Sequence, residues 1–180
     1  LKRTCTCGDL RKQNTGETVI LSGWINTYRD QGKGLVFIDL RDRYGLTQVV
    51  FDAQDTPETV MELGATLRRE DVVTIKGEIR IRDGKPNEKL PTGEIELRAK
   101  EIEVINRTAK LPILPDDHDA DSIGEEHRLR YRYIDLRRPK MQKILQLRHK
   151  ITQFTRNFFD DRDFLEIETP LLITPTPEGA

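Results

Sequence analysis

From Thr18 to Tyr28 the chain is extended and rich in β-branched residues, after a turn signal at Asn14–Thr15–Gly16; this predicts a first strand. A second run, Leu35–Arg41, follows the glycines Gly32 and Gly34, and a third, Leu46–Asp52, follows Tyr44–Gly45. The short separation of these two predicts a tight hairpin. The pattern changes over residues 57–69, where Val60, Met61, Leu63, Gly64 and Leu67 recur at near-helical spacing. Thr56 is the expected cap of that helix, and Pro57 suits its first turn. Residues 71–82 alternate again, with Val73, Ile75, Gly77, Ile79 and Ile81 on one face and Thr74, Lys76, Glu78, Arg80 and Arg82 on the other. The fifth run, Gly93–Ile105, sets Ile95, Leu97 and Ala99 against Glu94, Glu96 and Arg98, and its apolar parity then flips to Ile102 and Val104, which predicts a bulge. Further on, Met141–Phe159 carries Ile144, Leu147, His149 or Ile151, Phe154 and Phe158 at helical spacing, and Phe164–Pro170 is expected to be a strand after a turn at Asp160–Asp161.

Five strands with a helix between the third and fourth is the order of an OB-fold barrel, which binds oligonucleotides on the face of its second and third strands. An SH3-like barrel or an unrelated five-stranded sheet satisfies the same count. Three parts result: residues 1–106 as the barrel, 107–140 as a linker or hinge, and 141–180 as a helix plus a strand. One helix and one strand cannot bury their apolar faces alone, so the third part is expected to begin a larger domain.

The alternation also predicts a binding face. In the second strand Val36, Ile38 and Leu40 point inward, so Phe37 points out beside Asp39 and Arg41. An aromatic ring on the polar face of a barrel strand can stack a base, worth about 1–3 kcal/mol. Gln48 offers an amide donor and acceptor for a base edge. Arg29, Arg80 and Arg82 can contact phosphates or stack, and Glu96 can accept from a base amino or imino group.

Charge sharpens the picture. Residues 108–125 hold one lysine against four aspartates and a glutamate, whereas Glu126–Arg156 holds ten basic groups against two acidic ones. An acidic linker beside a basic block fits a nucleic-acid partner better than the net charge of −1 suggests. No apolar run approaches the roughly 20 residues of a membrane span, and the opening ten residues carry no secretory pattern. Two cysteines make no disulfide scaffold, and the three scattered histidines supply no zinc spacing; reduced thiols and a cytoplasmic location are expected. The sequence contains no phosphate-binding P-loop, no GxSxG and no HExxH.

Several strings together carry a resemblance. Gly23–Trp24–Ile25, Arg29–Asp30 and Phe37–Arg43 are similar to the N-terminal domain of class II aminoacyl-tRNA synthetases of the aspartate, asparagine and lysine subgroup. Gln48–Phe51, Thr92–Glu96, Arg130–Arg138, Ile167–Pro170 and Thr176–Ala180, with the opening Arg3–Thr4 and Cys7–Leu10, resemble the bacterial-type aspartyl members. The resemblance implies an OB-fold anticodon-binding domain followed by the start of an α+β class II catalytic domain. It implies that Phe37 stacks on an anticodon base, that Gln48 hydrogen-bonds there, that Glu96 reads the first anticodon base, and that Arg29, Arg80, Arg82 and Asn87 lie on the same surface. The Met141 helix and the segment ending at Pro170 match class II motif 1, which builds the dimer interface. Glu178 matches a mobile loop over the aspartate substrate.

The implied whole-protein activity is aspartate–tRNA ligation. Aspartate attacks the α-phosphate of ATP, and the terminal ribose of tRNA-Asp then takes the aspartyl group. ATP and Mg2+ serve the full-length enzyme through motifs 2 and 3, which these residues lack, so no cofactor and no adenylate formation are expected of this chain alone. Expected partners are tRNA-Asp, aspartate and a second subunit, with tRNA-Asn left open. The loop Asp30–Gly34 looks one residue longer than the commonest family form, which bears on that question. A non-specific single-strand-binding module, a synthetase-like paralogue and a lysyl or asparaginyl identity are the alternatives.

Overall fold

The computed structural model describes residues 1–116 and 122–172 and divides the chain into two compact units, Leu1–Lys110 and Leu111–Ala180. The first unit contains β1 (Thr18–Asp30), β2 (Leu35–Arg41), β3 (Leu46–Asp52), α1 (Glu58–Ala65), β4 (Val72–Ile81) and β5 (Ile95–Asn106). The strands close into a barrel in the order β1-β2-β3-β5-β4. All neighbours are antiparallel except β3 and β5, which meet in parallel at Val49–Leu97 and Val50–Arg98.

Closure depends on β1 serving two partners. Its first half, Thr18–Trp24, pairs with β4, and its second half, Trp24–Asp30, pairs with β2. The register shifts between Ile25 and Thr27, so Asn26 is an extra residue. Such a bulge bends a strand and raises its twist, which a small barrel needs at its corners. The Asn26 side chain accepts a hydrogen bond from Arg41 Nη1 at 2.6 Å, and Arg41 Nη2 lies 2.7 Å from the buried Glu70 carboxylate. The bulge expected in β5 is present. Gly77 faces Ala99 while Lys76 faces Glu101, leaving Lys100 as the extra residue. A Cβ at Gly77 would lie 2.1 Å from the Arg98 carbonyl oxygen, so only glycine allows the strands to approach there.

The expected inward residues Ile38, Leu40, Ile75, Ile79, Ile95 and Leu97 are fully buried in the barrel, and Leu21, Ile25, Val49 and Phe51, whose facing the pattern did not fix, are buried with them. At about 1.5–3 kcal/mol per buried aliphatic side chain, they form the main cohesive term of the unit. The hairpin turn is fixed by Asp42, whose Oδ1 accepts from the backbone N–H groups of Tyr44 and Gly45 at 2.7 and 3.0 Å. The helix is shorter than its pattern predicts, and Thr56 does not cap it. Pro57 stands at the N-cap, while Thr56 Oγ1 accepts from the Asp52 backbone N–H at 3.1 Å. The Thr56 hydroxyl is thus committed to the end of β3.

The second unit contains α2 (Glu125–Arg130), α3 (Arg132–Asp135) and α4 (Pro139–Asp160). Two short helices therefore lie within the stretch read as linker. They converge on the fully buried Asp135, which accepts from Arg128, Arg132 and Arg138 at 3.1, 2.5 and 2.7 Å. The expected strand at Phe164–Pro170 is absent. Those residues have no regular secondary structure and are exposed, held to α4 by Arg156–Glu166 at 2.8 Å and by Phe164 against Phe159. A strand needs a neighbour for its ladder, and the described residues of this unit supply none. No helix among the described residues is long and apolar enough to cross a membrane.

Candidate nucleic-acid interface

The outward face of β2 and β3 carries the site. Register places Arg29 of β1 opposite Phe37, and Asp39 opposite Gln48, so the four side chains stand on one face. Phe37 is half-buried at the junction of two adjoining grooves. The outer groove is rimmed by Arg29, Arg82, Lys85 and Asn87. The inner one, with a volume of about 290 Å³, is lined by Gln48, Arg82, Asp83, Glu96 and Arg98.

Gln48 is the hub. Its Oε1 accepts from Arg82 Nη2 at 2.6 Å and from Arg29 Nη2 at 3.3 Å, while its Nε2 donates to Glu96 Oε2 at 3.1 Å. Two guanidinium donors on one side and a carboxylate on the other fix the orientation of the amide. Arg29 is held in turn by both oxygens of Asp39, at 3.1 and 3.2 Å. A polar side chain with its partners satisfied in this way is rigid before any ligand arrives.

Glu96 is 1% exposed. Burial pushes its carboxyl above the usual carboxylate range, against the pull of Arg98, Gln48 and Arg82. Its Oε1 is buried without a hydrogen-bond partner among the described residues, and so are Arg82 Nε and Arg98 Nε. Arg98 Nε lies 3.0 Å from Glu96 Oε1, but its N–H does not point at that oxygen, so the contact is one of charge only. A buried acceptor left open costs roughly 1–3 kcal/mol. Buried acceptors in native structures are mostly paired, with protein or with ordered water.

Of the residues expected at the site, Arg29, Phe37, Gln48, Arg82, Asn87 and Glu96 come together here. Arg80 does not line either groove. It pairs with Asp55 and Glu78, each at 3.3 Å. Pro170 lies in the exposed stretch after α4, and Glu178 lies outside the described residues. Asp39, Asp52, Asp83, Lys85 and Arg98 were not anticipated. Alternation already puts Arg98 on the face of Glu96; the folding of Asp52 and Asp83 onto it has no local signal. Among the described residues no group of three His, Cys, Asp or Glu side chains could hold a metal ion.

A family model for the OB-fold nucleic acid binding domain matches residues 19–105, and one for tRNA synthetases class II (D, K and N) matches residues 124–180. The chain belongs to this class II synthetase family. Its relatives include the Aspartate--tRNA(Asp/Asn) ligase of Salinibacter ruber, 50% identical over 99% of this chain and 28% of that protein. The ligase of the same name from Anaeromyxobacter dehalogenans is 50% identical over 100% of this chain and 29% of that one. The chain thus spans under a third of the length of these relatives. Among solved structures, asparaginyl-tRNA synthetase from Pyrococcus horikoshii, complexed with asparaginyl-adenylate, superposes with a TM-score of 0.82 at 26% identity, covering 99% of this chain and 39% of that one. Fold, family models and relatives agree on the class II subgroup for aspartate, asparagine and lysine, and the names of the two bacterial relatives fall within it.

Proposed function

We propose that the Phe37 groove reads a tRNA anticodon, and that the whole protein is an aspartate–tRNA ligase that charges both tRNA-Asp and tRNA-Asn. The observation that carries the reading is the open, buried Glu96 Oε1 beside a fixed Gln48 and a half-exposed Phe37. A splayed base can stack on the ring while its edge meets an acceptor from Glu96 and donors from the arginines. Arg29, Arg82 and Lys85 supply the positive rim that a phosphate backbone needs. The dual tRNA range rests on the names of the two bacterial relatives. In the same proposal α4 and the segment through Pro170 contribute to a dimer interface. The assignment of Glu178 to the aspartate loop rests on the resemblance alone.

The test is fluorescence anisotropy of the chain with anticodon stem-loops at fixed salt, comparing GUC, GUU, UUU and a scrambled loop. Equal binding of GUC and GUU, both tighter than UUU, is expected. Preference for GUC over GUU would refute the dual range and keep the anticodon reader. Equal binding of all four would refute specific reading and favour a non-specific single-strand-binding module.

A further inference from the structure

We infer that Arg98 is a positioning residue for base reading: it holds Glu96 as an ionised acceptor without occupying the oxygen that the base would use. The inference rests on the anticodon reading of the groove and deepens it.

Arg98 is 8% exposed and reaches three carboxylates. Its Nη1 lies 3.0 Å from Asp52, its Nη2 donates to Asp83, and its Nε lies 3.0 Å from Glu96 Oε1. The two Nη groups make hydrogen bonds; the Nε–H and Glu96 Oε1 do not. Asp52 and Asp83 therefore fix the plane of the guanidinium, and its charge falls on Glu96 with the acceptor left open. Lysine could not do this, because one ammonium cannot reach three carboxylates in a fixed fork.

The other groups facing Glu96 are Gln48 and Asp52 from β3, Arg80 opposite it in the β4 ladder, and Arg82 and Asp83 just beyond β4. Gln48 already fills Oε2. The open Oε1 suits a base edge that presents N–H donors. Guanine offers N1–H and N2–H2 there, whereas adenine offers an acceptor at N1. Burial works against the ionised form, and Arg98 is the largest influence opposing it, while Asp83 adds to the opposition against ionisation. Removing Arg98 and removing Asp83 should thus move Glu96 in opposite directions.

The experiment measures anisotropy of the whole chain with GUC and AUC stem-loops across a pH series on the acid side of neutrality. For Arg98→Gln the GUC-over-AUC preference is expected to fall about tenfold, the scale of one good base contact, and the pH midpoint of GUC binding to move up. Arg98→Lys should return the midpoint toward wild type with incomplete recovery of affinity. Asp83→Asn, at an exposed loop position, should move the midpoint down. A folded Arg98→Gln chain with wild-type preference and midpoint would overturn the inference. So would an equal loss for GUC and AUC with no shift in midpoint, the mark of a purely structural role. Should Arg98→Gln not fold, Asp83→Asn decides, and a midpoint that stays or rises overturns the inference. A wild-type chain that does not separate GUC from AUC sinks both this inference and the anticodon reading; separation without any effect of Arg98 sinks this one alone.

Discussion

Gly64→Ala sets two effects of opposite sign against each other. Gly64 sits within α1, where alanine is intrinsically the better residue by up to about 1 kcal/mol. A Cβ at that position, however, would lie 2.8, 3.1 and 3.2 Å from the Cδ1, Cε1 and Cγ atoms of Phe51. Carbon atoms prefer about 3.5–4.0 Å. Phe51 is 0% exposed in β3, inside the packed barrel, so its ring has nowhere to go. Overpacking of this kind costs about 1–3 kcal/mol, and the net expectation is a loss of about 1–2 kcal/mol. For a unit of this size that lowers Tm by roughly 5–10 °C. Trp24, the one tryptophan in the chain, lies in β1, so urea unfolding followed by its fluorescence reports on the barrel unit. Phe51→Leu in the Gly64→Ala background should restore part of the loss, with a coupling of about 1 kcal/mol in the double-mutant cycle. A Gly64→Ala chain as stable as wild type, or additive behaviour in the cycle, would refute the claim that α1 packs directly on the Phe51 ring.

Three further outcomes are expected. Phe37→Leu keeps apolar volume but removes the π-face, and should weaken stem-loop binding by about 1–3 kcal/mol with little change in the urea midpoint; affinity within twofold of wild type would show that the ring does not stack. Burial raises the Glu96 carboxyl, so the native state holds that proton to higher pH than the unfolded chain, and the group's contribution to stability falls as pH rises between the two pKa values. Glu96→Gln should therefore match or exceed wild type in stability at neutral pH while losing GUC binding by about tenfold or more, and a clear loss of stability would mark the carboxylate as structural. Cys7 is 0% exposed and its thiol is pushed far up by burial and by Asp42, whereas Cys5 is only partly covered; a thiol reagent should titrate one cysteine quickly in the native chain and two in urea, and equal native rates would contradict the packing.

What the sequence made legible was local. Strict alternation in β2 placed Phe37 outward and Ile38 inward, and the parity flip after Ala99 marked the bulge at Lys100, because side-chain period and backbone pairing are the same fact in a barrel strand. The hub at Gln48 has no such signal. Its partners Arg29, Arg82 and Glu96 are 19, 34 and 48 residues away, and only closure of β1, β4 and β5 around β3 brings them to one amide. The expected strand at Phe164–Pro170 failed for the complementary reason. Its composition favours extension, but a ladder is a property of two segments, and the described residues offer it no second one. Likewise the near-helical spacing at 57–69 identified α1, yet the reason for glycine at 64 lies on Phe51 in another element.

The same distinction bears on how the candidate site is recognised. Phe37 stands out in the sequence because it breaks a local rule: an aromatic ring faces outward on a strand whose inward set is already complete. Glu96 breaks no local rule, since a glutamate on the outward face of a strand is ordinary. It departs from the norm only after folding, when Gln48 takes one carboxylate oxygen, Arg98 approaches the other without bonding it, and both become buried. Local choices that agree with the fold stabilise it, and departures concentrate where a ligand is to be met. An outward aromatic and an open buried acceptor, reached by these two independent routes, line the same groove. That convergence is the physical argument for placing recognition there rather than at Arg80, which the sequence made equally plausible and which the fold directs to Asp55 and Glu78 instead.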